Sequence, residues 1–70
     1  MNIKNRLMDL RLERKFRRQK EFAAYLGLSE TYYNKLENNK CIMTIETLFK
    51  IARKLNVDIN EIVYYCEENS

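Results

Sequence analysis

Basic side chains are the residues of this 70-residue chain whose type and spacing most clearly suggest a chemistry. Thirteen Lys and Arg stand against ten Asp and Glu, a net charge of +3. Residues 1–20 hold eight of the bases and only two acids, a net charge of +6, whereas residues 21–70 carry −3. Such a concentration of positive charge predicts a polyanionic partner, either nucleic acid or an acidic surface, and the alternative is a merely solvated face.

The same composition lacks the residues that most catalytic and metal sites use. The chain has no His and only two cysteines, Cys41 and Cys66, which form no CxxC pair. We find no Gly-rich phosphate loop and no paired carboxylates, so we expect no enzyme activity, cofactor or metal. No apolar run reaches about 18 residues and no signal peptide is recognised, so the expected compartment is a reducing cytoplasm with both thiols free and no membrane partner.

Apolar periodicity predicts how these side chains are positioned. Ile45, Leu48, Ile51, Ala52 and Leu55 show the clearest helical spacing. With no Pro and one Gly, an all-β fold is close to excluded. We predict an all-α fold, a compact five-helix bundle forming a single domain over residues 1–70 with its core at about 3–66. The predicted helices span about 3–15, 19–26, 30–38, 45–55 and 58–66.

Capping signals separate these segments. Gly27 suits a left-handed position after the second helix, and Ser29 and Thr44 suit the N-caps of the third and fourth. Asp58 and Glu61 have the spacing of a capping box ahead of the fifth. Two neighbouring tyrosines cannot both face the core, so we expect Tyr33 to be buried and Tyr32 to be exposed.

The second and third segments have the spacing of a helix-turn-helix. Counting Gln19 as position one, the small residue Ala23 falls at five and Gly27 at nine. Apolar residues occupy the positions that would join the two helices and hold the second against a core. They are Phe22, Leu26, Leu28, Tyr33 and Leu36.

Residues 19–40, QKEFAAYLGLSETYYNKLENNK, resemble the helix-turn-helix of the phage-repressor or Cro type, the XRE-like family. Residues 44–62, TIETLFKIARKLNVDINEI, resemble its fourth and fifth helices. The resemblance implies a lambda-repressor-like DNA-binding domain. It also implies a sequence-specific regulator of transcription in a bacterial or phage-host cytoplasm, with the third helix in the major groove of double-stranded DNA.

Site residues follow from the resemblance position by position. Base reading is implied for Glu30, Thr31 and Lys35. Arg11 and Glu37 match an ion pair between the first and third helices. The resemblance implies contacts with the DNA backbone for Gln19, Ser29, Tyr32, Asn38 and Lys40. For Arg17 and Arg18 we expect phosphate contacts because they lie beside Gln19, and the alternative is that they are solvated loop residues.

Three features depart from the family pattern. The family has a Gly and a Ser or Thr cap before the second helix, where this chain has Lys15-Phe16-Arg17-Arg18. The turn at residues 41–43 is unusually apolar. Glu30 is acidic where a base contact is expected, so it either accepts from a cytosine amino group or only begins the helix.

The resemblance further implies a homodimer on a pseudo-palindromic operator, and we expect the fifth helix, with Ile62, Val63 and Tyr65, to supply the dimer surface. A second functional hypothesis is a protein-interaction module, such as an antitoxin that masks a partner protein. A membrane-surface helix at residues 1–20 is disfavoured because Arg11 interrupts its short apolar stripe.

Overall fold

A computed structural model describes residues 2–66 of the chain, in which four α-helices are framed by a small sheet. The two strands of this sheet are antiparallel neighbours that join the two ends of the region. A single 3₁₀ turn precedes the second strand. In chain order the elements are β1 Asn2–Asn5, α1 Leu7–Glu13, α2 Gln19–Leu26, α3 Glu30–Glu37, α4 Ile45–Leu55, the 3₁₀ turn Ile59–Glu61 and β2 Val63–Cys66.

The first predicted helix is shorter than expected, because residues 2–5 form a strand. Ile3 pairs with Tyr65, and more than half of its surface is exposed. Helix α1 starts only at Leu7, whose N–H donates to Oδ1 of Asn5 at 3.1 Å. An Asn side chain that satisfies a free N–H at a helix start fixes that start, and this one places residues 2–5 outside α1.

The predicted fifth helix is wrong beyond its first turn. The motif at its start does form a helical turn, since the N–H of Asp58 donates to Oε2 of Glu61 at 2.8 Å. The next residues are β-branched and aromatic, types that favour strands, and β1 offers them a pairing partner. The molecule is therefore mostly helical with a two-stranded sheet, not an all-α five-helix bundle.

The remaining helices lie close to their predicted bounds. Helices α2 and α4 begin and end as predicted, and α3 is one residue shorter. Thr44 caps α4 by accepting from the N–H of Thr47 at 3.2 Å, and Asn56 ends it in a left-handed conformation with φ 56°. None of the helices within residues 2–66 is long and apolar enough to cross a bilayer.

One apolar core joins all the helices. Tyr33 and Phe22 are its largest fully buried side chains, and their rings meet edge to face at 5.6 Å. Ile62 is also fully buried, so it cannot belong to a dimer surface as predicted. The buried apolar residues are Leu7, Leu10, Phe22, Ala23, Leu26, Tyr33, Leu36, Ile51, Ala52, Leu55 and Ile62.

Candidate nucleic-acid interface

The turn between α2 and α3 depends on Gly27. Its φ of 77° lies in the left-handed region, as predicted, where a Cβ is penalised. The N–H of Leu28 reaches back to the carbonyl of Ala23 at 2.8 Å, which closes the end of α2. Ala23 is itself buried where the two helices pack. The chain thereby reverses within three residues and starts α3 at Glu30.

Helix α3 has one buried side and one side open to solvent. Ser29 caps it, since its Oγ accepts from the N–H of Tyr32 at 3.1 Å. Tyr33 and Leu36 are fully buried and hold the helix against the core. The predicted base-reading residues all lie exposed, namely Glu30, Thr31 and Lys35. The structure therefore places these three on the part of α3 that a ligand can reach.

A carboxylate at the end of α3 ties three helices together. Oε2 of Glu37 accepts from Nε of Arg11 on α1 at 3.0 Å, so the implied ion pair is formed. Gln19 of α2 donates through Nε2 to Oε1 at 2.7 Å. The hydroxyl of Tyr33, one turn back on α3, donates to Oε2 at 2.5 Å. The side chains of Arg11 and Glu37 are both almost completely enclosed, with exposures of 9% and 5%.

These contacts decide the protonation state of the cluster. Burial opposes the charge on Glu37, but hydrogen bonds from Arg11, Tyr33 and Gln19 outweigh it and hold the pKa of the carboxyl below its ordinary value of 4.5. The hydrogen bond to Glu37 raises the pKa of the Arg11 guanidinium. Burial, helped by Glu37, raises the pKa of the Tyr33 hydroxyl. The cluster is therefore a charged pair with a neutral phenol at pH 7.

Arg11 also shapes the loop that lacks the usual helix cap. Its Nη1 donates to the carbonyl oxygens of Phe16 at 3.2 Å and Arg17 at 2.8 Å. Helix α2 begins after Arg18 without any side-chain cap, and Lys15 takes a left-handed φ of 67°. The guanidinium of Arg11, which has five hydrogen-bond donors, thus fixes the loop through its backbone carbonyls. The side chains of Arg17 and Arg18 stay exposed.

Two side chains predicted to contact the DNA backbone, those of Gln19 and Tyr32, are less exposed than expected. The Gln19 amide lies half-buried, because besides donating to Glu37 its Oε1 accepts from Nδ2 of Asn34 at 2.8 Å. Tyr32 is half-buried rather than exposed, since its hydroxyl lies 3.3 Å from Oγ1 of Thr47 on α4. Each residue keeps an accessible portion, and Gln19 Nε2 has a second hydrogen to donate.

Tertiary contacts redistribute the positive charge of residues 1–20. Arg11 is neutralised by Glu37. The guanidinium of Arg6 lies 5.0 Å from the ring centre of Tyr64, and Arg14 donates to the carbonyl of Leu55 at 2.7 Å. The exposed bases next to α2 are Lys15, Arg17, Arg18 and Lys20. Arg6 and Arg14 stay exposed and charged although their guanidinium groups are held in place, so only Arg11 is withdrawn from the basic surface.

The turn after α3 is held by a residue that sequence reasoning missed. Nδ2 of Asn5 donates to the carbonyl of Leu36 at 2.7 Å and to Oδ1 of Asn39 at 3.1 Å. Asn39 ends the helix with φ 58°. The signal was present in the sequence, because an Asn two residues before the apolar Leu7 is a helix-start residue. Asn38 and Lys40, the predicted phosphate contacts in this turn, are exposed.

The cysteines complete the inventory of reactive groups. Cys41 and Cys66 are free thiols, as predicted, and both are half-buried. Over the part of the chain that the structure describes, no cluster of three or more His, Cys, Asp or Glu could hold a metal ion.

Comparison with known proteins agrees with this geometry. Residues 7–62 match the model of the Helix-turn-helix family. The chain is 36% identical over 58 residues to control protein C.MunI of a Mycoplasma species, covering 83% of this chain and 78% of that protein. It is 39% identical over 54 residues to the ImmF control region 10 kDa protein of Bacillus phage phi105, covering 77% of this chain and 59% of the phage protein. The chain belongs to the Helix-turn-helix family, as a DNA-binding transcriptional regulator of the XRE or Cro type.

Proposed function

We propose that the protein binds double-stranded DNA with sequence specificity by placing the exposed side of α3 in the major groove. The observation that carries this proposal is the division of α3 between fully buried anchors, Tyr33 and Leu36, and exposed polar side chains at Glu30, Thr31 and Lys35. A helix held rigidly on one side can present the other to base edges in a fixed register.

The exposed residues supply complementary hydrogen-bonding groups. Lys35 can donate to guanine O6 or N7, and Thr31 can donate, accept or contact a thymine methyl. Glu30 can accept from a cytosine amino group. Thr31 and Lys35 are four residues apart, so they lie about one helical turn from each other on the same side of α3. This spacing suits contacts with neighbouring base pairs.

Side chains near α3 would contact DNA phosphates and so hold this helix in the major groove. The exposed bases Arg17 and Arg18 lie where α2 begins, and Lys40 lies in the turn after α3. Backbone contacts fix the position of a protein on DNA but carry no sequence information directly. The set proposed for this role is Arg17, Arg18, Gln19, Ser29, Tyr32, Asn38 and Lys40.

The test compares two lysines, one proposed to contact bases (Lys35) and one proposed to contact a phosphate (Lys40). A selection from random duplexes first yields the preferred operator. We expect Lys35→Ala to weaken operator binding by about 1–3 kcal/mol more than binding to a scrambled duplex and to relax one base position. Lys40→Ala should weaken both duplexes about equally. Lys40 is a cleaner control than Gln19, whose side chain also supports Glu37.

The outcome depends on the ratio of the two affinities. Titration of both duplexes gives this ratio, and circular dichroism verifies that each variant is folded. If Lys35→Ala and Thr31→Ala both leave the ratio unchanged in folded protein, α3 does not read the bases.

We further propose that two copies bind a pseudo-palindromic operator as a homodimer. The longest dimension of the molecule, 36 Å, is comparable with the roughly 34 Å between half-sites one helical turn apart, so adjacent copies can touch. A groove of about 550 Å³ runs between the sheet and the turn after α3. Ile42 is 90% exposed at this groove, and Ile3 and its partner Tyr65 are exposed nearby. This apolar surface keeps Val63 and Tyr65 of the dimer surface first expected and leaves out Ile62, which is buried.

Footprinting and sedimentation test the dimer. We expect two symmetric half-sites and two copies per operator, and we expect Ile42→Ser to weaken cooperative occupancy at least tenfold. Replacing Met8, which is exposed on α1, with Ser is the matched control and should have no such effect. One copy bound to a single unsymmetric site would show that the operator is not read by a dimer.

The proposed cytoplasmic location follows from the proposed ligand, operator DNA. A regulator of this type meets its operator in the cytoplasm of a bacterium or of a phage host. The second hypothesis, a protein-interaction module, gains a specific observation from the outer side of α4, where apolar residues remain exposed. Such a surface would bind a protein partner in addition to DNA.

A further inference from the structure

An open groove lies between the end of α2 and the outer side of α4. Its volume is about 970 Å³. Ile45 and Phe49 of α4 and Tyr25 of α2 line it, and they are 72%, 51% and 40% exposed. Residues at 45, 49 and 53 lie one turn apart along α4. They adjoin the buried side of the helix, since Ala52 follows Phe49 by three residues, and the groove therefore runs along the edge of the core.

The rim of this groove is basic. Lys50, Arg53 and Lys54 line it together with a single acid, Glu46. Within residues 2–66 none of these three bases forms an ion pair with a carboxylate. Lys50 donates to the carbonyl of Gly27 at 3.1 Å, and the ammonium of Lys54 lies 4.7 Å from the ring centre of Tyr25. These contacts hold two positive charges beside the exposed apolar residues of the groove.

We propose that this groove binds an acidic segment of a second protein that inserts an aromatic or leucine side chain between the bases. Clusters of exposed apolar side chains with a polar rim mark protein-binding surfaces, and aromatic residues dominate the energy of such contacts. The positive rim selects an acidic partner over a basic one. The groove includes none of the exposed α3 residues Glu30, Thr31 and Lys35, so a partner can bind it without covering them. The proposal goes beyond DNA binding and does not depend on it.

DNA is a weaker candidate for this groove. Phosphates would use Lys50, Arg53 and Lys54, but they would leave Ile45 and Phe49 exposed without a contact. A protein segment can use both the charge and the apolar surface. DNA and a second copy of the chain are therefore treated as outcomes that contradict the proposal.

The experiment selects ligands by chemistry alone. Random twelve-residue peptides displayed on phage are selected against the full chain, and the enriched peptides are synthesised and titrated by fluorescence anisotropy. We expect enrichment of peptides that carry several Asp or Glu around a Trp, Phe or Leu. Phe49→Ser should weaken their binding at least tenfold. Leu12→Ser, at a position of matched exposure on α1 (53%), should leave binding unchanged.

Charge reversal provides the specific control. We expect the double variant Arg53→Glu and Lys54→Glu to lose at least tenfold in affinity for the acidic peptides. The same variant should gain affinity for versions in which Lys replaces the acids. Both side chains are exposed, so the fold should be retained, and circular dichroism verifies this.

Four results would overturn the proposal. Enriched peptides that are not acidic, or that bind the Phe49→Ser and wild-type chains equally, would show that the groove is not their site. Loss of affinity for duplex DNA in the charge-reversed variant, with peptide binding intact, would assign the bases to phosphates. Conversion of a dimer to a monomer by Phe49→Ser in sedimentation would assign the groove to a second copy.

Discussion

At the scale of single residues, Glu37 receives hydrogen bonds from side chains on three helices. The donors are Arg11 on α1, Gln19 on α2 and Tyr33 on α3 itself. Removing one partner of an enclosed ion pair leaves the other charge uncompensated, which costs more than the pair itself contributes. The relative placement of the two helix-turn-helix elements therefore depends on this carboxylate.

We expect Glu37→Gln to lower the free energy of unfolding by about 3–5 kcal/mol at pH 7. The variant keeps the shape of the side chain but leaves the Arg11 guanidinium without a counter-charge. Urea unfolding followed by circular dichroism measures the difference. Glu21→Gln, an exposed position on α2, is the matched control and should change stability by less than about 0.5 kcal/mol. A loss as small as that of the control would show that the ion pair does not stabilise the fold.

The same residue predicts a pH dependence. Because the pKa of Glu37 is lower in the folded chain than its ordinary 4.5, its contribution is fully present above that value. It is lost as the pH falls through the folded-state pKa, when the carboxyl becomes protonated. The stability difference between wild type and Glu37→Gln should therefore narrow below about pH 4.5. A difference that stays constant down to pH 2 would contradict the assigned charge.

At the scale of elements, each of the four helices is followed by a left-handed residue. After α1 it is Lys15, with φ 67°. After α2, α3 and α4 the left-handed residues are Gly27, Asn39 and Asn56, with φ of 77°, 58° and 56°. Gly and Asn tolerate this conformation, which makes sharp chain reversals possible without Pro. The short connections that keep α2, α3 and α4 packed around one core follow from these three positions.

We expect Gly27→Ala to destabilise the domain by about 1 kcal/mol, because the left-handed backbone penalises a Cβ. Steric crowding adds little, since the new Cβ would meet only the end of the flexible Lys50 side chain, at 3.2–3.3 Å. Asn56→Gly is the opposite substitution in the same conformation and should stay within about 0.5 kcal/mol of wild type. Thermal unfolding compares the variants. Equal stability of Gly27→Ala and wild type would show that the turn relaxes to another conformation.

At the scale of the whole molecule, charge position matters more than charge count. Residues 1–20 carry a net +6, but Arg6, Arg11 and Arg14 are engaged with Tyr64, Glu37 and the end of α4. Arg6 and Arg14 keep their charge, but their side chains are held by these contacts, whereas Lys15, Arg17, Arg18 and Lys20 are exposed next to α2. DNA affinity should therefore depend on only part of the basic segment.

Salt dependence separates the two groups of arginines. We expect Arg17→Ala with Arg18→Ala to reduce the slope of log K against log salt by about 1–2, as two phosphate contacts would, without changing base preference. Arg6→Ala with Arg14→Ala removes the same charge from the same segment and should leave the slope unchanged. Equal slopes for the two double variants would show that DNA senses only the overall charge.

The amino-acid sequence by itself determined the helix-turn-helix. The bounds of α2, the left-handed Gly27, the Ser29 cap and the buried Tyr33 all follow from spacing and local backbone preference, which act within a few residues. The Arg11–Glu37 pair was implied by the family resemblance, and the structure forms it.

Only the tertiary structure decided the two ends of the domain and the division of its surface charge. Residues 2–5 and 63–66 are too short to form a stable element alone, and each becomes a strand because the other lies beside it. That pairing connects residues about sixty positions apart, so no local pattern encodes it. The engagement of Arg6 and Arg14 has the same origin, since Tyr64 and Leu55 approach them only after the chain has folded.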